Sequence, residues 1–440
     1  MENVDLIVIG VGPGGYEVAA HQAAAGKAVV IIEKDLVGGT CLNRGCIPTK
    51  CLCAGASLIE RIHNANDFGV TVENVNISYK TAYERSRQVV DNLRAGIDMS
   101  LAKCRVVHGE ACIQPDKTVR VGDQVFKAPM NIIATGSAPV KLNIPGADLA
   151  MTSDDFLLLE KLPESLVIIG GGVIGLEFAF VANAYGVDVT VVEYCKEILP
   201  PFDAEVAKRL RLLMTEKGVK FITSASATAI DKSDEDTLTV HYTDKKGDGV
   251  IHTRSVLMAV GRKAVLPHGA ESAGIELTPK GFIMTNDDFQ TSVPEFFAVG
   301  DCNGKFMLAH VATAQSMAVI GQDINLNVVP SAVFTHPELA GVGLTTQQCK
   351  DLNIPFETKK SLYRANGKAT ADGCTDGFVK LLINPTDNSI LGCHIMGEHA
   401  SDIIQQVAIA MANNLTVQQL CVRTVFGHPT LSEVLKNTCC

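Results

Sequence analysis

Two cysteines five residues apart, Cys41 and Cys46, stand in the stretch Gly38-Gly39-Thr40-Cys41-Leu42-Asn43-Arg44-Gly45-Cys46-Ile47-Pro48-Thr49-Lys50. A thiol pair at this spacing can serve as a reversible dithiol, with thiolate rather than thiol as the reactive form. On an ideal helix such residues have Cα atoms roughly 8–9 Å apart, whereas a disulfide needs less than about 7 Å. The pair can therefore bridge only where the backbone is irregular, and Gly45 and Pro48 supply irregularity. The competing reading is two buried thiols packed as small hydrophobes. A redox dithiol needs a proton acceptor, and Gly427-His428-Pro429-Thr430-Leu431-Ser432-Glu433 offers one. Pro429 biases His428 to extended backbone and can begin a helix, leaving Glu433 placed to reach one imidazole nitrogen and fix the tautomer. Helix capping explains the same residues equally well.

The cysteine segment follows a βαβ unit. Val4–Ile9 reads as a buried strand, Gly10-Val11-Gly12-Pro13-Gly14-Gly15 as a glycine turn, Tyr16–Ala25 as a helix, and Ala28–Ile32 as a strand closing on Glu33. The same grammar returns with strand Leu166–Ile169, the turn Gly170-Gly171-Gly172-Val173-Ile174-Gly175, helix Leu176–Ala184, and strand Val187–Val192 closing on Glu193. The interval from first glycine to acid is 23 residues in both copies, 10 to 33 and 170 to 193. Two such units predict two dinucleotide-binding modules. The first glycine permits a tight turn, the second lets backbone approach a pyrophosphate, and the third lets the helix pack close to its strand. Glu33 and Glu193 would accept hydrogen bonds from ribose hydroxyls. The Glu193 carboxylate would repel a 2′-phosphate, and Tyr194 and Cys195 offer no arginine, so the second nucleotide is expected to be NAD.

Beyond Gly261-Arg262 come short strands and turns up to Phe296–Val299 and Gly300-Asp301, then a helix pattern from Ala309 to about Leu326. Pro330 reads as a boundary. The strand-like runs Val379–Ile383 and Ile390–Ile395, and the helix pattern Asp402–Asn413, predict an α+β domain. The fold class expected is therefore α/β: two Rossmann-like dinucleotide-binding domains plus a C-terminal α+β domain. The expected boundaries are 1–144 for the first nucleotide domain, 145–262 for the second, 263–329 for a central segment completing the first, and 330–440 for the C-terminal domain.

Composition restricts the function classes. The 440 residues are 47% apolar and 20% charged, enough for sizeable cores and unlike a disordered chain. Net charge is −10 with Trp absent, which argues against nucleic acid and anionic membrane as partners. No apolar run approaches a membrane span, and no secretory signal is visible at Met1–Asp5, so a cytoplasmic protein is expected. The 14 cysteines lack paired metal-ligand spacing, and no structural metal is expected. Cys51, Cys53 and the scattered cysteines read as small packed residues. The terminal Cys439-Cys440 pair reads either as a bland tail or as a dithiol relay or metal handoff.

Together these residues resemble the pyridine nucleotide–disulfide oxidoreductases over nearly the whole chain, from Asp5 to Glu433. The resemblance is carried by the 38–50 segment, Ile132–Ser137 (IIATGS), Ala259–Arg262 (AVGR), Phe297–Asp301 (FAVGD) and His428–Glu433 (HPTLSE). Within the family it is similar to the members that oxidise dihydrolipoyl groups. The related glutathione reductases read differently around the cysteines and carry basic residues after the second unit. The resemblance implies FAD on the first unit and NAD on the second. It alone implies that 330–440 is a dimerisation (interface) domain, making a homodimer in which His428 and Glu433 serve the partner's disulfide, and it implies a lipoyl-bearing carrier protein as substrate. Cys41 would be the interchange thiol and Cys46 the thiolate against the flavin, with Lys50 near the flavin edge and paired with Glu177. Implied FAD contacts are Gly10, Gly12, Gly15, Glu33, Thr40, Lys50, Ala111, Thr135, Gly136, Asp301 (the ribityl chain) and Ala309. Implied NAD contacts are Gly170, Gly172, Val173, Ile174, Gly175, Glu193, Ser226 and Gly261. Family members usually continue past the HPTLSE segment, whereas this sequence has seven residues after Glu433. A disulfide or mercuric-type metal-ion reductase using Cys439-Cys440 is the alternative, although mercuric reductases lack the His–Glu pair. A chiefly structural role in a large assembly is a further reading, against which Cys41, Cys46, His428 and Glu433 all argue.

Overall fold

The computed structural model describes residues 1–438. Its first sheet is five-stranded and wholly parallel, in the order Phe296–Ala298, Met130–Ile133, Leu6–Ile9, Val29–Glu33, Arg105–His108. Alternate residues of its central strand enter different cores: Leu6 and Val8 pack on one face, Ile7 and Ile9 on the other. Both faces are thus buried, which is why the strands read as unbroken apolar runs. The outer strand Phe296–Ala298 comes from nearly 290 residues downstream of Leu6 and aims Asp301 at the same sheet end as the first glycine turn.

The second parallel sheet runs Lys220–Thr223, Asp188–Glu193, Ser165–Ile169, Ser255–Met258. Leu166 and Ile168 face one core, Val167 and Ile169 another. An antiparallel meander of Ser226–Lys232, Leu238–Asp244 and Gly247–Thr253 lies between its strands in sequence. The C-terminal sheet is antiparallel, in the order Ser331–Val333, Glu338–Gly343, Ile390–Gly397, Phe378–Ile383, Glu357–Leu362. One face carries Val379, Leu381, Cys393 and Ile395 against helix Ala400–Ala412. From the other, Phe378 and Met396 join the core of the second nucleotide domain.

Several boundaries differ from the sequence reading. The helix starting at Ala309 stops at Val319 rather than near Leu326, because Gly321 turns the chain at φ +93°. The last long helix begins at Ala400, two residues early, after His399 in the left-handed region. Pro429 does not begin a helix: the His428–Pro429 bond is cis, and the helix is the short Glu433–Lys436. The 22-residue helix Tyr79–Ser100 is not among the elements read from the sequence. Cys53, Cys302, Cys349 and Cys393 are buried thiols, as small packed residues should be, whereas Cys421 is disulfide-bonded. Cys439 and Cys440 lie outside the described residues. Among the described residues no helix is long and apolar enough to cross a membrane.

Candidate functional site

The two glycine turns follow one steric logic. A Cβ on Gly10 would meet the Ala134 carbonyl oxygen at 2.4 Å, and one on Gly170 the Ala259 carbonyl oxygen at 2.4 Å. On Gly15 and Gly175 it would meet the carbonyl oxygens of Gly10 and Gly170 at 2.0 and 2.1 Å. Protein packing alone therefore demands these four glycines. Gly12 and Gly172 differ: a Cβ there would find its nearest described atom 3.9 Å away in the first case and none within 4 Å in the second. The space before them is open, and each caps a helix (Pro13–Ala24, Val173–Ala184) whose first amides face it. That is the cradle a pyrophosphate fits.

Each acid is locked to its own turn. Glu33 accepts hydrogen bonds from the amides of Val11 (2.8 Å) and Asp35 (2.9 Å). Glu193 accepts from Gly171 (2.5 Å) and Cys195 (2.6 Å). Burial pushes the Glu33 carboxyl above its ordinary pKa, and the amides of Val11 and Lys34 pull it back only in part. The turns, the acids and the cysteines line one cleft of about 2240 Å³. That is more than twice the upper range of about 1,000 Å³ for one small-molecule pocket, which fits two dinucleotides end to end. Thr40, Ala111, Thr135, Gly136, Asp301 and Ala309 line it beside the first turn, and Val173, Ile174, Ser226 and Gly261 beside the second. Ala309 opens a helix capped by Leu308, whose side chain has no acceptor, so amides again face the cleft.

Cys41 and Cys46 sit where the halves of the cleft meet. Cys41 lies on helix Gly39–Arg44, and Cys46 opens helix Cys46–His63; Gly45 breaks the two apart at φ −146°, ψ −114°. A Cβ on Gly45 would press the Thr40 carbonyl oxygen at 2.9 Å. The break sets the two thiols beside one another, close enough for each to shift the other's titration. That contact and the nearby Lys50 ammonium outweigh burial and lower Cys46 to about 7. The same contact, with burial, pushes Cys41 far above the ordinary thiol value. The contact thus favours ionisation at Cys46 over Cys41.

Lys50 lies one helical turn beyond Cys46 and donates to both Glu177 carboxylate oxygens at 3.0 and 2.9 Å. Glu177 is buried on helix Val173–Ala184 and also accepts from the Phe334 amide at 3.0 Å. Lys50 stacks 4.5 Å above the Phe334 ring. Burial pulls the Lys50 amine down, but Glu177 more than restores it and leaves it above its usual value. One ion pair therefore joins the cysteine helix, the second nucleotide domain and the C-terminal domain.

His428 stands elsewhere. Its Nδ1 lies 3.1 and 3.2 Å from the Glu433 oxygens, and its side chain is 77% exposed on the C-terminal domain, outside the cleft lining of its own chain. The Thr430 amide and then His428 hold the Glu433 carboxyl below its ordinary range. The sequence reading missed Ser137 and Arg262. Ser137 donates to Asp301, and Arg262 donates to the Ser137 hydroxyl (2.7 Å) and carbonyl (2.8 Å). Both belong to motifs already singled out, ATGS and AVGR, but their pairing across 125 residues left no local trace. Gln315 was missed too; its Oε1 accepts from the Gly300 amide at 2.7 Å and from Asn303 at 2.9 Å, bracing the turn that presents Asp301.

Comparison with known proteins agrees with this geometry. The model of the pyridine nucleotide-disulphide oxidoreductase family matches residues 4–316, and that of the family's dimerisation domain matches 329–439. The dihydrolipoyl dehydrogenase of Chlamydia pneumoniae is 37% identical, over 98% of this chain and 95% of its own. That of Mycoplasma pneumoniae is 35% identical over 99% and 98%. Among solved structures, the HOCl-induced flavoprotein disulfide reductase RclA from Escherichia coli is similar at a TM-score of 0.88 and 26% identity, over 99% of each chain. Its Cu(II) complex is equally similar, at 0.88 and 26%. With two dinucleotide cradles meeting at a thiol pair, and with both family models spanning it, the chain belongs to the pyridine nucleotide–disulphide oxidoreductases, enzymes that work with FAD and NAD(H).

Proposed function

We propose that the chain is an NAD-dependent dihydrolipoamide dehydrogenase that oxidises dihydrolipoyl groups on a separate carrier protein. The observation that carries this reading is the Cys41–Cys46 pair lining one cleft with both glycine turns, with Lys50 held by Glu177 one helical turn away. FAD, when bound, supplies two-electron transfer between the dithiol and the nicotinamide. Gly10, Gly12, Glu33, Thr40, Lys50, Ala111, Thr135, Gly136, Asp301 and Ala309 would hold it, with Gly15 serving by letting its helix pack close. Gly170, Gly172, Val173, Ile174, Glu193, Ser226 and Gly261 would hold NAD, with Gly175 in the same packing role. The domain division is inferred to be 1–144, 145–262, 263–329 and 330–440.

The protein's own chemistry is thiol–disulfide exchange. One substrate thiolate attacks Cys41 Sγ of the oxidised pair; the Cys41–Cys46 bond breaks and Cys46 leaves as thiolate. The low proton affinity of Cys46 makes it the better leaving group. The second substrate sulfur then attacks its partner, releasing the cyclic disulfide and leaving Cys41 to take a proton. The two substrate protons need a base. With His428 outside its own cleft, the partner subunit's His428, oriented by the partner's Glu433, takes that part in a homodimer. Lys50, held by Glu177, stabilises negative charge on Cys46. A cytoplasmic location is inferred with this reading.

The test is NADH formation from dihydrolipoamide by the purified yellow protein, with NAD⁺ and NADP⁺ side by side. Turnover with NAD⁺ alone is expected. Absence of turnover together with reduced-nucleotide-driven reduction of Cu²⁺ or Hg²⁺ would overturn the reading in favour of a metal-ion reductase.

A further inference from the structure

The turn carrying the two cysteines is fastened from outside by a helix that the motifs do not include. Asn43, between the cysteines, is 4% exposed. Its Nδ2 donates to the carbonyls of Gly39 (2.9 Å), Val37 (3.0 Å) and Leu36 (3.3 Å). Its Oδ1 accepts both Nε (3.1 Å) and Nη2 (2.7 Å) of Arg94. The Asn43 backbone carbonyl accepts Nη1 of Arg87 at 3.1 Å. Within an unbroken helix that carbonyl would bond the amide four residues on; the break at Gly45 deprives it of that partner. Arg87 and Arg94 are seven residues apart on helix Tyr79–Ser100, hence on one face of it. Asp91 pairs with Arg94 Nη1 at 2.8 Å and leaves its Nε–Nη2 edge for Asn43.

We propose that Arg94, with Arg87, is a positioning residue for the redox pair. It fixes the Asn43 amide so that the Gly39–Arg44 turn holds the Cys41 thiol against Cys46. A planar fork gripping one oxygen leaves the amide a single orientation, with its NH₂ toward the three carbonyls. The loop Leu36–Gly39 and the Cys41 turn are thereby tied into one body. Neither arginine touches the sulfurs or the cofactor cradles; their effect passes through Asn43. The sulfurs must both approach to bond and separate to accept electrons, so the turn that sets their distance sets the balance between the two states.

Arg94→Met keeps the aliphatic stem and removes the fork. The readout is the rate of iodoacetamide alkylation of Cys46 in the reduced holoenzyme against pH, with the Cys41–Cys46 potential measured in a dithiothreitol redox buffer. Neither depends on which disulfide substrate the enzyme uses, so failure here is distinguishable from failure of the dehydrogenase reading. With the Cys41 contact loosened, Cys46 should titrate about one unit higher, which cuts its thiolate fraction at pH 7 about fivefold. Arg94→Lys, which still gives one donor to Oδ1, should fall between, and it serves as the comparison should Arg94→Met fail to fold. An unchanged alkylation profile and potential, with only thermal stability lowered, would overturn the proposal.

Discussion

His336→Gln is the most exacting test of the interdomain electrostatics. His336 Nδ1 lies 2.6 Å from Glu60 and its Nε2 3.1 Å from Glu398, with the ring 23% exposed. Glu60 lies in the last turn of helix Cys46–His63, and it also pairs with Lys217 of the second nucleotide domain at 2.7 Å. Glu398 is also paired with Arg61, and His399 stands beside it. Burial pulls the imidazole down, but the two carboxylates outweigh it and raise it from 6.5 to about 9. A shift of that size corresponds to ~3.4 kcal/mol favouring the folded, protonated state. The depression of Glu398 to about 2 arises chiefly from this same contact, so the two are one energy and are not summed. The folded value is the higher one. The stabilisation is therefore complete below pH 6.5, declines by ~1.4 kcal/mol per unit above it, stands near ~2.5 kcal/mol at pH 7, and is gone beyond 9. Glutamine keeps the volume and removes the charge, while Lys217 and Arg61 still partner the carboxylates. The assay is urea unfolding of both chains at pH 6, 7.5 and 9.5, read as the difference between them. The gap should be ~3 kcal/mol at pH 6 and under ~1 kcal/mol at pH 9.5. A gap constant across that range would show that packing, not ionisation, makes the contact, and would refute the electrostatic account.

Glu177→Gln should lower the Cys46 pKa further, because Glu177 opposes its ionisation and partly neutralises Lys50; an alkylation profile moving to higher pH would contradict this. Gly172→Ala should weaken NAD binding with little loss of stability, whereas Gly175→Ala, whose methyl meets a carbonyl at 2.1 Å, should impair folding itself; titration calorimetry and melting curves separate the two. Lys380→Met leaves the Asp203 carboxylate buried without its 2.8 Å partner and should cost ~3–5 kcal/mol, with Lys380→Met/Asp203→Leu recovering much of it. A single mutant as stable as the parent would refute the assigned burial penalty.

Features written in neighbouring residues are legible in the chain itself. The glycine turns are local: a positive φ at Gly10 and Gly170, and a carbonyl 2.0–2.1 Å from where a Cβ of Gly15 or Gly175 would lie, exclude other residues whatever the rest of the fold does. The irregular backbone between Cys41 and Cys46 follows in the same way from Gly45. Helix ends are less legible, since the stop at Val319 and the start at Ala400 depend on single turn residues. Helix Tyr79–Ser100 shows no motif, and its part in fastening the cysteine turn rests on arginines 44 and 51 residues from Asn43.

The sequence by itself determined two dinucleotide cradles and a thiol pair of redox spacing, because those depend on backbone sterics within a few residues. Tertiary structure alone decided that the cradles open into one cleft, and that strand Phe296–Ala298 returns to the first sheet to present Asp301. It decided too that Ser137 and Arg262 brace Asp301, that His336 joins Glu60 to Glu398, and that His428 stands outside the cleft of its own cysteines. These are pairings between positions tens to hundreds of residues apart. Their energy exists only once the intervening chain is packed, so no local pattern records them.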